Sequence, residues 1–196
     1  MMNTVSNPMI RQAVEFIKDG KLSILHVPQE YQDEVLRLLG DDVSLEDIKK
    51  IKINKLSSIC NNAILNGVDI KFEDTIKHFS YGEEDQVNLK EIFDLAVQTN
   101  VPMYYHADGE GCKLYTVDEI ITIYTAATTN KMHHITYFNQ IRMYVNSLES
   151  RSDIMSVEYG QELTGEFLET YNESMAQAQL VLESLLFRRA MILAEE

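Results

Sequence analysis

Residues 103–116 read MYYHADGEGCKLYT, a short stretch that brings together His106, Asp108, Glu110 and Cys112. Imidazole, carboxylate and thiolate are the side chains that hold zinc-like ions, and a histidine beside a carboxylate is also an acid–base pair. Two other stretches invite the same question. His133-His134 offers adjacent imidazoles, and Glu83-Glu84-Asp85 offers three carboxylates in a row.

The elements that must position these residues argue for a structural use of each. Successive strand residues point to opposite faces, so Met103 and Tyr105 would face one way and Tyr104 the other. Asp108-Gly109 is a strong signal for a hairpin turn because its backbone tolerates positive φ, which leaves Cys112, Leu114 and Tyr115 on the return strand. Adjacent residues on a helix diverge by about 100°, so His133 and His134 cannot both ligate one ion unaided. One is expected inward and hydrogen-bonded, the other outward. Glu83, Glu84 and Asp85 open a helix, where its dipole favours negative charge. Ser57, Ser58 and Ser80 have no base at a recognisable spacing, and no glycine-rich phosphate loop, nucleophile elbow or zinc motif occurs. No catalytic residue, no metal ligand and no cofactor is expected, and the chain reads as a non-enzyme.

Hydrophobic periodicity sets out the elements. A short helix covers 9–18, KLSILHV (21–27) reads as a strand, and Pro28 introduces a helix that ends at Gly40. Ser44 with Asp47 resembles a capping box ahead of a helix through Leu45, Ile48, Leu56, Ile59, Cys60, Ala63 and Ile64. Alternation then predicts strands over 68–74 and 75–81, with Asp74 at the turn. Residues 83–100 return to helical spacing. Two more strands, VPMYY and GCKLYT, are followed by helix over 117–148, either continuous or broken near Thr128-Thr129-Asn130. From Leu163 the apolar residues Leu168, Tyr171, Met175, Ala178, Leu182, Leu185 and Ile192 step by threes and fours, a heptad seam interrupted only at Arg189. The fold class is α+β: a central α-β-β-α-β-β-α domain over 44–150, a helical arm over 1–43, and an acidic helix over 151–196 able to form a coiled coil.

The chain has 196 residues and a net charge of −14, with 45% hydrophobic residues. Residues 1–48 carry a net −5, residues 49–148 a net −2 and residues 149–196 a net −7, so a nearly neutral middle lies between acidic ends. Such a surface repels phosphate backbones, and no nucleic-acid partner is expected. No run approaches the roughly 18–20 apolar residues of a membrane span, and no secretory signal is visible, so no membrane association is expected. Cys60 and Cys112 have no metal-type spacing, and both are expected in the core of a protein made in a reducing compartment.

Four pieces of the middle, taken in order, carry a resemblance. They are CNNAILNGVDI (60–70), HFSYGEEDQVNL (78–89), VPMYYHADGEGCKLYT (101–116) and HHITYFNQIRMYVNSL (133–148). Together they resemble an uncharacterised domain recurrent in tail, baseplate and tail-fibre-associated proteins of tailed bacteriophages, over roughly residues 50–148. Its landmarks here include Cys60, Asn61, His78, Phe79, Asp85, Gln86, Asn88, His106, Asp108, Gly109, His134, Tyr137 and Arg142. Tyr144 stands where that pattern commonly has Trp, and the C-terminal helix lies beyond it. The resemblance implies a structural component of a phage tail, baseplate or tail-fibre attachment region, made in the bacterial cytoplasm and carried in the virion. Its partners would be other tail, baseplate or fibre proteins, or a second copy of itself through the C-terminal helix. A tail-fibre assembly chaperone absent from the particle is the alternative; a metal-dependent enzyme built on His106, Asp108 and a neighbouring histidine is the third reading. The landmarks also suggest a buried hydrogen-bond network of Asp85, Gln86, Asn88, His106 and Asp108 that would fix how helix and hairpin dock.

Overall fold

The structure, a computed structural model, describes residues 7–195, with side chains left out at 188, 189 and 191–195. It is mostly helical, with seven α-helices and two small antiparallel sheets among the described residues. Helices α1 (Pro8–Lys18), α2 (Gln29–Leu39) and α3 (Leu45–Asn66) lead to strands β1 (Val68–Phe72) and β2 (Thr75–Phe79). Then come α4 (Glu83–Thr99), β3 (Met103–Tyr105), β4 (Lys113–Tyr115), α5 (Val117–Ser147), α6 (Arg151–Ser156) and α7 (Gly165–Glu195). The segment 151–196 therefore holds two helices. Among the described residues no helix is long and apolar enough to cross a membrane. The contacts divide the chain into two compact units, one of residues 1–58 with 142–162 and one of residues 59–141 with 163–196.

In the first unit, basic side chains close the C-terminal ends of helices, where the last carbonyls lack intrahelical partners. The Arg151 guanidinium donates to the Leu36 carbonyl at 2.8 Å and to the Gly40 carbonyl, which ends α2. Lys49 donates to Asn146 O at 2.7 Å near the end of α5. Lys52 is only 6% exposed, and its ammonium donates to Met155 O and Val157 O, both at 2.8 Å, at the end of α6. Burial pulls its pKa below the usual lysine range. Around these bonds Val35, Leu36, Ile48, Leu56, Val145 and Ile154 are almost wholly buried. At the helix starts, Asn7 accepts from Met9 N at 3.0 Å ahead of Pro8, and Ser44 accepts from Asp47 N at 3.1 Å. Ser44 and Asp47 thus form the capping pair read from the sequence.

The strand expected over 21–27 is absent; a single 3-10 turn, Ile24–His26, stands there, with Ser23 accepting from Leu25 N. Ile24 and Val27 are both buried. Their spacing of three puts them on one side of a turn with three residues per revolution, whereas a strand would have sent them to opposite faces.

In the second unit, α3 ends at Gly67, whose φ is +80°. A Cβ there would lie 1.9 Å from the Phe79 carbonyl oxygen, so only glycine lets β2 return this close to the helix end. Of the apolar face expected on α3, Ile48, Leu56, Cys60 and Ile64 are buried, while Leu45 and Ile59 are exposed. Helix α5 is continuous through Thr128-Thr129-Asn130 because nothing from 117 to 147 is proline or glycine. Asn130 uses its amide instead to donate to Gly67 O at 3.3 Å.

Replacing Lys52 by Met keeps the apolar stem and removes the ammonium from two carbonyls. A stability loss of about 2–3 kcal/mol in urea unfolding is expected; an unchanged midpoint would contradict the capping role.

Candidate functional site

The landmark residues gather where two hairpins meet in the second unit. Strand β1 pairs β2 in the register Val68↔Phe79 through Phe72↔Thr75, and β3 pairs β4 in the register Met103↔Tyr115 through Tyr105↔Lys113. Alternation turns Phe79, Tyr105 and Tyr115 inward, with half-buried Phe72 beside them, and Tyr104 and Leu114 outward. Phe72 and Phe79 lie 6.1–6.2 Å from Tyr115, and Phe79 stacks on Tyr105 at 6.2 Å. The Lys77 ammonium sits 5.3 Å from the centre of the Tyr115 ring and bonds Glu110 at 3.1 Å. Lys113 reaches the same Glu110 oxygen at 2.8 Å. Hydrogen bonds from Lys113 and then Lys77 hold the Glu110 carboxyl below the usual range. On the other ribbon, cross-strand partners Asp69 and His78 bond at 2.7 Å, which raises the His78 pKa. Burial pushes the Tyr105 hydroxyl up to about 12, with Asp85 the next cause, so it stays protonated.

Asp108 couples the two ribbons. Its N–H donates to His78 O at 2.9 Å, and its carboxylate accepts from both the Ser80 N–H and the Ser80 hydroxyl at 3.1 Å. Asp85 Oδ2 lies 3.4 Å from the same hydroxyl and accepts from Gly82 N at 3.1 Å, which caps α4. A hydroxyl has one proton, and the shorter contact favours Asp108. Gln86 donates to Tyr81 O at 3.0 Å and accepts from Lys131 at 2.5 Å.

The expected network is therefore partly assembled. Asp85 and Asp108 meet at Ser80, while Gln86 makes a separate pair of bonds to Tyr81 and Lys131. Both sets lie at the solvent edge rather than in the core, with Asp85 and Gln86 half-buried and Asp108 exposed. Asn88 and His106 are exposed, and among the described residues no hydrogen bond joins them to the others. They line a shallow cavity of about 350 Å³ with Glu91, Tyr104 and Cys112. Ser80 in the first set, and Tyr81 and Lys131 in the second, were not among the expected members. The serine could have been found from its place, just ahead of a helix start and at the end of an alternating strand.

The turn differs in detail from the tight hairpin expected. Residues 106–112 connect the strands, and Glu110 N bonds Ala107 O at 3.1 Å around Asp108-Gly109. Gly109, at φ +71°, takes the positive φ and Asp108 does not. Cys112 falls in this connection and is exposed, against the expectation of a core thiol, while Cys60 is buried. Both histidines of the pair are half-buried rather than one in and one out. His133 Nδ1 lies 2.6 Å from the Tyr171 hydroxyl on α7, and burial lowers the His134 pKa. Chemically, these acids serve as acceptors for backbone N–H groups and lysines. Among the described residues no three His, Cys, Asp or Glu side chains are placed to hold a metal ion.

On α7 the seam residues Leu168, Tyr171, Met175 and Leu182 are half-buried and Ala178 is buried, so this stretch packs within its own unit. Leu185 is 37% exposed, and the Ile192 side chain lies outside the described residues. Beyond Ala178, Leu180, Val181, Leu186 and Phe187 are all exposed.

Comparison with protein-family models, with curated proteins and with solved structures found no match.

Asp108→Ala leaves the Ser80 N–H without its acceptor and the hydroxyl with only the longer Asp85 contact, and a loss of about 1–2 kcal/mol is expected. Asp108→Asn keeps an accepting oxygen and should lose less, and Asn88→Ala should change stability by less than about 0.5 kcal/mol. Denaturant titration of the three variants checks the order; equal losses at 108 and 88 would remove the coupling role of Asp108.

Proposed function

We propose that this chain is a non-enzymatic structural component of a bacteriophage tail or baseplate, at a tail-fibre attachment region, and that it works by protein–protein interaction. Residues 44–150, running α-β-β-α-β-β-α, act as the presenting module, and the helical segments on either side grip neighbouring proteins. The observation that carries the reading is the apolar surface of α7. Leu180, Val181, Leu185, Leu186 and Phe187 are exposed within eight consecutive positions. A helix apolar on more than one side is normally covered, and exposed apolar surface of this kind marks an interaction site. The phage context comes from the resemblance of the ordered pieces 60–70, 78–89, 101–116 and 133–148. The use of Asp85, Asp108 and Glu110 as structural acceptors supports a binding role over a catalytic one.

The test is mass spectrometry of purified tailed-phage particles alongside the lysate that produced them. The chain is expected in the particles at a fixed ratio to the tail proteins. Presence in the lysate but absence from the particles would replace this reading with the fibre-assembly chaperone. Production unconnected with any phage particle or fibre would overturn both.

A further inference from the structure

Helix α7 carries two stripes, one on each side. The first is the seam from Leu168 to Leu185, which is half-buried or buried until its last member. The second runs Glu166, Glu169, Glu173, Ala176, Leu180 and Phe187, with Glu183 and Ser184 straddling the remaining step. Its spacing also alternates threes and fours, so at 3.6 residues per turn it forms a continuous line opposite the seam. Every residue of this line is exposed, Leu180 to 57% and Phe187 to 66%. The line extends about 30 Å along the helix. Its first half is acidic and its second half carries the apolar Leu180 and Phe187 with Glu183 at the edge, and among the described residues no ion pair neutralises Glu166, Glu169 or Glu173.

From this arrangement we infer that the outward stripe of α7 docks an amphipathic helix of a different protein, one whose apolar ridge ends in a row of Lys or Arg. The inference rests on the interaction reading above and names the chemistry of the partner. Leu180 and Phe187, flanked by Val181, supply the apolar contact that such a ridge needs. Glu166, Glu169 and Glu173 supply charge at the spacing with which one helix face meets another, which fixes the direction in which the partner lies. A second copy of this chain fits poorly. A parallel copy would set its own Glu166, Glu169 and Glu173 against the same three acids, and the antiparallel alternative is decided by the sedimentation measurement below. An anionic membrane surface is disfavoured by the same charge.

The experiment uses the full chain and two synthetic helical peptides with leucine at the a and d heptad positions. One carries lysine and the other glutamate at the e and g positions. Fluorescence anisotropy should show the lysine peptide binding at least about tenfold more tightly than the glutamate peptide, and weakening as salt rises. The triple variant E166K/E169K/E173K should reverse that preference. The milder E166Q/E169Q/E173Q should abolish it, and Phe187→Glu should weaken both peptides; circular dichroism checks that each variant keeps its helix content. Equal affinity for the two peptides, or a preference that the triple variants do not change, overturns the inference. Sedimentation as a dimer that Leu180→Glu disperses also overturns it, because a second copy would then cover the stripe. None of these results alters whether the chain is found in phage particles, so failure here is separable from failure of the functional reading.

Discussion

Two ribbons of two strands each, one with three-residue strands, bury too little to persist alone in water. What holds them is the contact between their inward faces, where Phe72, Phe79, Tyr105 and Tyr115 form one aromatic cluster. Each such ring pair contributes about 0.5–1.5 kcal/mol beyond the area it buries, yet aromatic contact alone leaves the ribbons free to slide. Asp108 removes that freedom. It engages β2 through its N–H and the residue after β2 through its carboxylate, so position and orientation are set together. The start of α4 follows from the same point, because the residue that Asp108 holds, Ser80, stands beside the Gly82–Asp85 cap.

The two units solve the same problem with opposite charges. Backbone groups at helix ends and strand ends need partners when water is excluded. In the first unit the cations Lys49, Lys52 and Arg151 answer orphan carbonyls at helix C-terminal ends. In the second, N–H groups near the ribbon contact are answered by the carboxylates of Asp85 and Asp108. That division explains why Asp85 and Asp108 are found accepting structural hydrogen bonds from Gly82 and Ser80. It also leaves the outward acids of α7 as charges without an internal duty.

Much of this was legible because it depends on period and on local chemistry. The change from helical spacing to alternation at Val68 reflects Cβ directions that no long-range contact can alter, and the strands lie there. The capping pair of Ser44 and Asp47 was visible because its partners are three residues apart. Thr116 and Glu119 make a reciprocal cap of the same kind, at 2.7 Å and 3.2 Å, and could have been read from TVDE. Other features were hidden for physical reasons. KLSILHV has strand-forming residues, but Ile24 and Val27 answer to the core of their own unit, and period three won. The membership of Ser80 and Lys131 depends on chain segments 28 and 45 residues away. Asn88 and His106 have the same polarity as their networked neighbours, but Asn88 falls on an exposed position of α4 and His106 on the exposed connection after β3. The acidic-to-apolar line on α7 was present in the sequence but gained meaning once the seam on the opposite side was found packed.

Native-state hydrogen exchange reads the coupling of one ribbon to the other through Asp108 directly. The amide protons of Asp108 and Ser80 should exchange roughly a thousandfold more slowly than unstructured amides, and through the same opening as those of β1 and β2. If the Asp108 amide instead exchanges as fast as that of an exposed turn residue such as Gly109, while β1 and β2 stay protected, the ribbons do not depend on this link and the account fails.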